Sequence, residues 1–236
     1  MSSYALNGSK KILFLTVLTT IIFSFSSCSN TENQKAPQSN ENVSNEENVS
    51  TNNASRTIMF FGNSITAGYG LDPDQAFPAI IQGTIDSLSL DYKVVAAGNS
   101  GETSAGGLQR VDWMLRQQVD VFVLELGGND GLRGLMPPQM KDNLGQIIDK
   151  VKSKYPDCKI ILAAMESPPN MGEDYTEAFR KVFPALAEEK NVTLLPFLLE
   201  GVAGLPDLNL PDGIHPTAEG HQILADNVWK VLKPIL

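Results

Sequence analysis

Apolar and polar positions divide the chain into three stretches of different pattern. Ile12 to Ser26 is a mostly apolar run without a charge, residues 29–55 carry almost no apolar side chain, and from Arg56 onward short apolar runs alternate with longer segments of helical period. The short runs predict strands at Thr57 to Phe61, Tyr92 to Ala97, Val119 to Leu126, Lys159 to Met165 and Val192 to Pro196. The periodic segments predict helices at Asp74 to Leu88, Gly107 to Gln117, Pro138 to Lys154, Asp174 to Lys190 and Thr217 to Leu232. Buried strands alternating with helices imply an α/β domain, a five-stranded parallel sheet with helices on both faces in three layers. Right-handed crossovers then put any site at the carboxyl ends of the strands.

The first stretch has the zones of an export signal: Lys10 and Lys11, the apolar run, then Ser26, Ser27 and Cys28. About fifteen residues of helix reach about 22 Å, short of the roughly 30 Å hydrocarbon core, so a membrane-spanning anchor is the weaker reading. Cys28 after two serines resembles the lipobox of bacterial lipoproteins, with Phe25 where Leu is more usual. That resemblance implies a signal peptide over residues 1–27 and a lipidated Cys28 followed by a tether to residue 55, with plain secretion as the alternative. The tether, rich in Asn, Ser and Glu, has too little apolar surface to offset the entropy of ordering, and a flexible coil of that length reaches roughly 30 Å. Residues 56–236 form the one folded domain.

Charge narrows the partners. The leader carries +2 and the tether −3 of a total of −9, which leaves −8 on the domain. An acidic domain repels phosphate backbones and anionic membrane surfaces, so nucleic acid is excluded as a partner and membrane contact is expected through the lipid alone. With Cys28 lipidated, Cys158 stands alone, so no intrachain disulfide is expected; it reads as an inert, half-buried side chain before an apolar run.

Candidate chemistry follows the strands. After the first comes Gly62-Asn63-Ser64-Ile65-Thr66-Ala67-Gly68, a sharp turn with Ser64 at its tip; it is neither a Gly-x-Ser-x-Gly elbow nor a phosphate loop. Only two histidines are available as a general base. His215 lies in Pro211-Asp212-Gly213-Ile214-His215-Pro216, where a carboxylate three residues upstream can hold the second ring nitrogen of an imidazole that activates a serine. His221, inside the last helix, reads as a helix-surface residue. Gly98 to Ser104 and Gly127 to Gly131 follow the second and third strands, and such glycine-rich turns let backbone or amide N–H groups face developing negative charge.

Taken together, these segments resemble the SGNH, or GDSL-type, hydrolases: Ser64, Gly101, Asn129 and His215 stand in the order of that family's four motif blocks, most specifically in Glu125 to Leu135 and Asp212 to Pro216. The resemblance covers Ile58 to about Val231 and is nearest to the bacterial acyl-thioesterase, lysophospholipase and arylesterase branch. It implies a flavodoxin-like fold, a catalytic Ser64, Asp212 and His215 triad, and an oxyanion hole from the Ser64 and Gly101 backbone N–H groups with the Asn129 side chain. No cofactor and no metal are implied. Asn63 departs from the Asp usual beside the family serine; it keeps the size and an acceptor but drops a charge.

The same resemblance makes the loop Met165 to Gly172, with Tyr175 behind it, a lining or cover of the acyl site, so Pro168, Asn170 and Tyr175 are the substrate-binding candidates. Phe197 to Pro206 fits either a wall of that site or ordinary core. The expected activity is hydrolysis of acyl or aryl carboxylic esters or thioesters through an acyl-enzyme, by a monomer anchored in the bacterial cell envelope. The alternatives are a carbohydrate O-acetyl esterase and a non-catalytic ligand-binding lipoprotein.

Overall fold

The computed structural model describes residues 55–236. The signal, Cys28 and nearly all of the tether lie outside the described residues. Among the described residues no helix is long and apolar enough to cross a membrane.

Five parallel strands, β1 (Arg56–Gly62), β2 (Tyr92–Gly98), β3 (Val121–Glu125), β4 (Lys159–Ala163) and β5 (Thr193–Leu195), stand in the order β2-β1-β3-β4-β5. The predicted strands are all present. The third and fifth are shorter at both ends than the apolar runs; at the third the reason is that Val119 and Leu126 pack into the core from the loops. β3 is buried along its whole length, as a central parallel strand covered on both faces must be.

Five long helices connect and cover the strands: α2 (Phe77–Ser87), α3 (Ser104–Met114), α5 (Pro137–Lys154), α6 (Glu173–Lys190) and α7 (Ala218–Leu232). The chain steps from β1 to β2 in one direction and from β2 through β3 and β4 to β5 in the other. Right-handed connections therefore put α2 on one face and α3, α5 and α6 on the opposite one. The packing agrees: α2 lies against α7, while α5 lies against both α3 and α6. Two helices start where sequence periodicity does not place them. α2 begins at Phe77, since Pro73–Gln75 forms a separate 3-10 turn, and α3 begins at Ser104, where the Thr103 hydroxyl accepts from Gly106 N–H.

Two single-turn helices, α1 (Ser64–Ala67) and α4 (Gly128–Leu132), follow β1 and β3 directly. The direction of connection reverses between these neighbouring strands, so both open on the crevice where α/β sheets carry their sites.

His221 is not on the helix surface. It is 1% exposed; its ring stacks on Phe77, and Nδ1 accepts the Phe77 backbone N–H at 3.1 Å. Phe77 N–H is an unsatisfied donor at the start of α2, so a buried imidazole from α7 completes that helix end. Burial, seconded by the charge of His215, holds the His221 pKa down at about 4.

Candidate active site

The turn after β1 is built from buried polar contacts. Asn63 caps α1: its Oδ1 accepts the Ile65 N–H at 2.9 Å and lies 3.4 Å from Ser64 Oγ. Its Nδ2 donates to Glu125 Oε1 at 2.6 Å, its backbone N–H donates to Glu125 Oε2 at 3.0 Å, and Thr66 Oγ1 donates to the same oxygen at 2.8 Å. Glu125 is wholly enclosed at the end of β3, and desolvation raises its pKa to about 7 against the opposing hydrogen bonds from Asn63 and Thr66.

The histidine arrives from across the molecule on an exposed loop. Asp212 Oδ1 accepts the backbone N–H of Ile214 and of His215 at 2.9 and 3.0 Å, and Oδ2 lies 2.7 Å from His215 Nδ1. Leu210 N–H donates to the His215 carbonyl at 2.7 Å, and Gly213 closes the turn at φ 70°, a backbone region open to glycine at little cost. Hydrogen bonds from the imidazole first, then from the backbone N–H groups of His215 and Ile214, pull the Asp212 pKa down to about 2. With Nδ1–H donated to Asp212, Nε2 is left as an acceptor, and it sits 2.8 Å from Ser64 Oγ. The Tyr69 ring covers the imidazole at a centroid distance of 4.5 Å.

Ser64 and His215 line a cavity of about 800 Å³, within the range that encloses small-molecule ligands. Asn129 also lines it. The Asn129 Nδ2 gives one hydrogen to the Glu102 carbonyl at 3.0 Å, which aims the amide and leaves its second N–H uncommitted. Gly101, at φ 79°, is held by Arg133 through its carbonyl and is not among the residues lining the cavity. Behind these donors, Arg110 clamps Glu102 at 2.5 Å and stacks on Phe61, while Asp130 takes both the N–H and the hydroxyl of Ser104.

The walls are mostly apolar. Ile65, Leu132, Met165, Phe197 and Leu199 face the cavity. The stretch Phe197 to Pro206 serves both of its expected purposes: Phe197 and Leu199 line the cavity, whereas Leu198 and Val202 are buried in the core. Of the three substrate-binding candidates, Pro168 lines the cavity and Asn170 and Tyr175 do not. The Tyr175 hydroxyl is committed to the Leu135 carbonyl at 2.8 Å and its ring stacks on Phe179, so it braces α6 instead of facing the cavity. Ser167, by contrast, lines the cavity with a buried hydroxyl that has no protein partner among the described residues.

Glu125 and Tyr69 carry no role of their own in the sequence reading, and Ser167 is not singled out within the loop Met165 to Gly172. For Glu125 there is a signal, a lone acid in an otherwise apolar strand (Val-Phe-Val-Leu-Glu-Leu). Tyr69 and Ser167 are ordinary loop residues until the fold brings them to the site.

Comparison with known proteins places the chain in a family. The model of the GDSL-like Lipase/Acylhydrolase family matches residues 60–223. The chain is 42% identical over 184 residues to Esterase TesA of Pseudomonas aeruginosa, covering 78% of this chain and 90% of that one. It is 39% identical over 184 residues to thioesterase 1/protease 1/lysophospholipase L1 of Escherichia coli, covering 78% of this chain and 86% of that one. Among solved structures, TesA superposes with a TM-score of 0.74 at 42% identity, covering 77% of this chain and all of that one. The esterase EstA of Pseudoalteromonas sp., inhibited by monoethylphosphonate, superposes at 0.72 with 31% identity, covering 76% of this chain and 97% of that one.

Proposed function

The chain belongs to the GDSL-like lipase/acylhydrolase family, and from that premise we propose that it cleaves acyl and aryl carboxylic esters and thioesters with Ser64 as nucleophile, His215 as general base and Asp212 as its carboxylate partner. The observation that carries the assignment is the unbroken relay Asp212 Oδ2, His215 Nδ1, His215 Nε2, Ser64 Oγ, with contacts of 2.7 and 2.8 Å, opening on an apolar cavity.

In this mechanism His215 Nε2 takes the hydroxyl proton as Ser64 Oγ attacks the substrate carbonyl carbon. Asp212, ionised far below neutral pH, stabilises the imidazolium that results. The carbonyl π electrons move to oxygen, and the oxyanion is met by the uncommitted Asn129 N–H and the Ser64 backbone N–H, both on cavity-lining residues; the Gly101 backbone N–H is taken as the third donor on the family resemblance alone, since Gly101 lies outside the lining. When the tetrahedral intermediate collapses, the C–O or C–S bond breaks and the imidazolium protonates the departing alcohol or thiol. A water deprotonated by His215 then attacks the acyl-enzyme carbonyl; as that intermediate collapses the Ser64 ester bond breaks, the imidazolium returns the proton to Ser64 Oγ, and the free acid leaves. That EstA is inhibited by a phosphonate fits a serine nucleophile in the fold shared with it.

The apolar stretch of wall formed by Ile65, Leu132, Met165 and Phe197 supports an acyl chain of short to medium length. Glu166, Ser167, Thr176 and Arg180 also line the cavity and could serve a sugar's hydroxyls, so the carbohydrate O-acetyl ester is separated by assay. Cys28 is assigned as the lipid anchor, with the tether through residue 55 holding the domain in the cell envelope, on the strength of the leader's sequence.

Hydrolysis of p-nitrophenyl acetate, octanoate and palmitate by the full chain, beside Ser64→Ala, tests the assignment. The expected result is an optimum at short or medium chain that disappears in Ser64→Ala. Equal rates across the three chain lengths, or turnover of acetyl-xylan alone, would overturn the acyl-site reading.

A further inference from the structure

Glu125 touches neither Ser64 nor the cavity, yet everything about its surroundings points at the serine turn. It stands opposite Gly62 in the pairing of β3 with β1, one residue before Asn63. Glycine is required there, because a Cβ at position 62 would collide with Glu125 Oε2 and Thr66 Oγ1. An enclosed carboxylate is costly unless hydrogen-bonded, and this one accepts three donors, all from residues 63 to 66. Such an arrangement does more than satisfy the acid. An amide has distinguishable ends, and committing Nδ2 to Glu125 leaves Oδ1 as the only acceptor available to the Ile65 N–H and the nearest one on the flank of Ser64 Oγ.

We propose that Glu125 is a positioning residue for the nucleophile: its carboxylate fixes the orientation of the Asn63 amide, and through it the N-terminus of α1 and the direction of Ser64 Oγ toward His215. This rests on Ser64 being the nucleophile. It also assigns a role to Asn63. With Glu125 ionised the pair of side chains carries one negative charge, and what matters is that position 63 and position 125 present complementary ends to one another at 2.6 Å.

Complementarity can be broken and restored by amide and acid exchange. In Glu125→Gln one end of the new amide is a donor facing the Asn63 donor; if Asn63 rotates to relieve this, its Nδ2 turns on the Ile65 N–H and the cap is lost. In the double variant Asn63→Asp with Glu125→Gln, the amide oxygen introduced at position 125 can accept the backbone N–H of position 63 and the Thr66 hydroxyl. The amide nitrogen beside it can donate to the new carboxylate, whose second oxygen can accept the Ile65 N–H. Every contact of the original set is regained with the charge moved from one side to the other.

The test is steady-state hydrolysis of p-nitrophenyl octanoate by the full-length wild type, Glu125→Gln, the double variant and Ser64→Ala, with thermal unfolding of each. The expected result is a kcat at least tenfold lower in Glu125→Gln with KM within about twofold of wild type, since orientation and not substrate contact is lost, and a return of kcat to within a few-fold in the double variant. If Glu125→Gln fails to fold, recovery of both folding and kcat in the double variant supports the same role. A Glu125→Gln as fast as wild type, or a double variant that recovers no more kcat than the single one, overturns it. Ser64→Ala keeps the questions apart: activity retained there refutes the nucleophile itself, whereas a failed rescue beside an inactive Ser64→Ala refutes only the role of Glu125.

Discussion

The two halves of the catalytic relay are held by opposite means. The serine half is buried, and its hydrogen bonds span long stretches of sequence: Asn63 and Thr66 to Glu125, Ser104 to Asp130, Asn129 to Glu102. The histidine half is local and open to solvent, an exposed loop in which Asp212 organises Ile214 and His215 within three residues. A buried polar network is stable only while each member is satisfied, so disturbing it affects folding and catalysis together. A solvated turn can lose a member and remain folded, so disturbing it affects chemistry far more than folding.

The largest effect separates chemistry from both. Ser64→Ala should lower kcat on the order of 10⁴-fold or more with little change in melting temperature, measured by ester hydrolysis and thermal unfolding. Asp212→Ala should follow, with a loss on the order of 10⁴-fold in kcat and only a small drop in melting temperature at pH 7, because the hydrogen bonds it loses are solvent-exposed; a large drop in melting temperature would show that the histidine loop is structural in the same sense as the serine turn. Asn129→Ala should reduce kcat on the order of 10²-fold to 10³-fold. Because its amide also holds the Glu102 carbonyl, a larger drop in melting temperature should accompany the loss, which sets it apart from Asp212→Ala.

A smaller contrast lies in pH and stability. His221 is neutral in the folded protein down to about pH 4 but protonates near 6.5 when unfolded, so its contribution is present above 6.5 and lost as pH falls toward 4. Glu125 has the opposite sign: its carboxyl deprotonates near 4.5 unfolded and near 7 folded, so its contribution is present below 4.5 and lost as pH rises toward 7. The two oppose each other between about pH 4.5 and 6.5. Provided Glu125→Gln folds, its unfolding free energy should therefore rise more steeply from pH 4.5 to 6.5 than that of wild type, by urea titration at the two pH values. Parallel curves would mean that Glu125 titrates as an ordinary carboxyl.

Legibility in the sequence follows the same division. Asp212 and His215 could be paired from their spacing because one turn carries both, and the strands, the helices and the parallel sheet they form could be read because hydrophobic runs alternate with helical periods. Contacts that join distant segments left almost no trace. His221 reads as a surface residue because nothing local announces that Phe77 N–H needs an acceptor, and the role of Glu125 depends on register between β1 and β3. The substrate loop shows a third kind of failure. Pro168 lines the cavity while Tyr175 braces α6, and which residues of a loop turn inward is settled by packing that no sequence pattern describes.

The most direct test of the catalytic assignment is covalent. The full-length protein would be incubated with a fluorophosphonate, its mass measured intact, and the modified peptide mapped in wild type and in Ser64→Ala. The expected result is one adduct per chain, located on Ser64 and absent from Ser64→Ala. An adduct on another residue, or none on folded wild-type protein that hydrolyses esters, would contradict it.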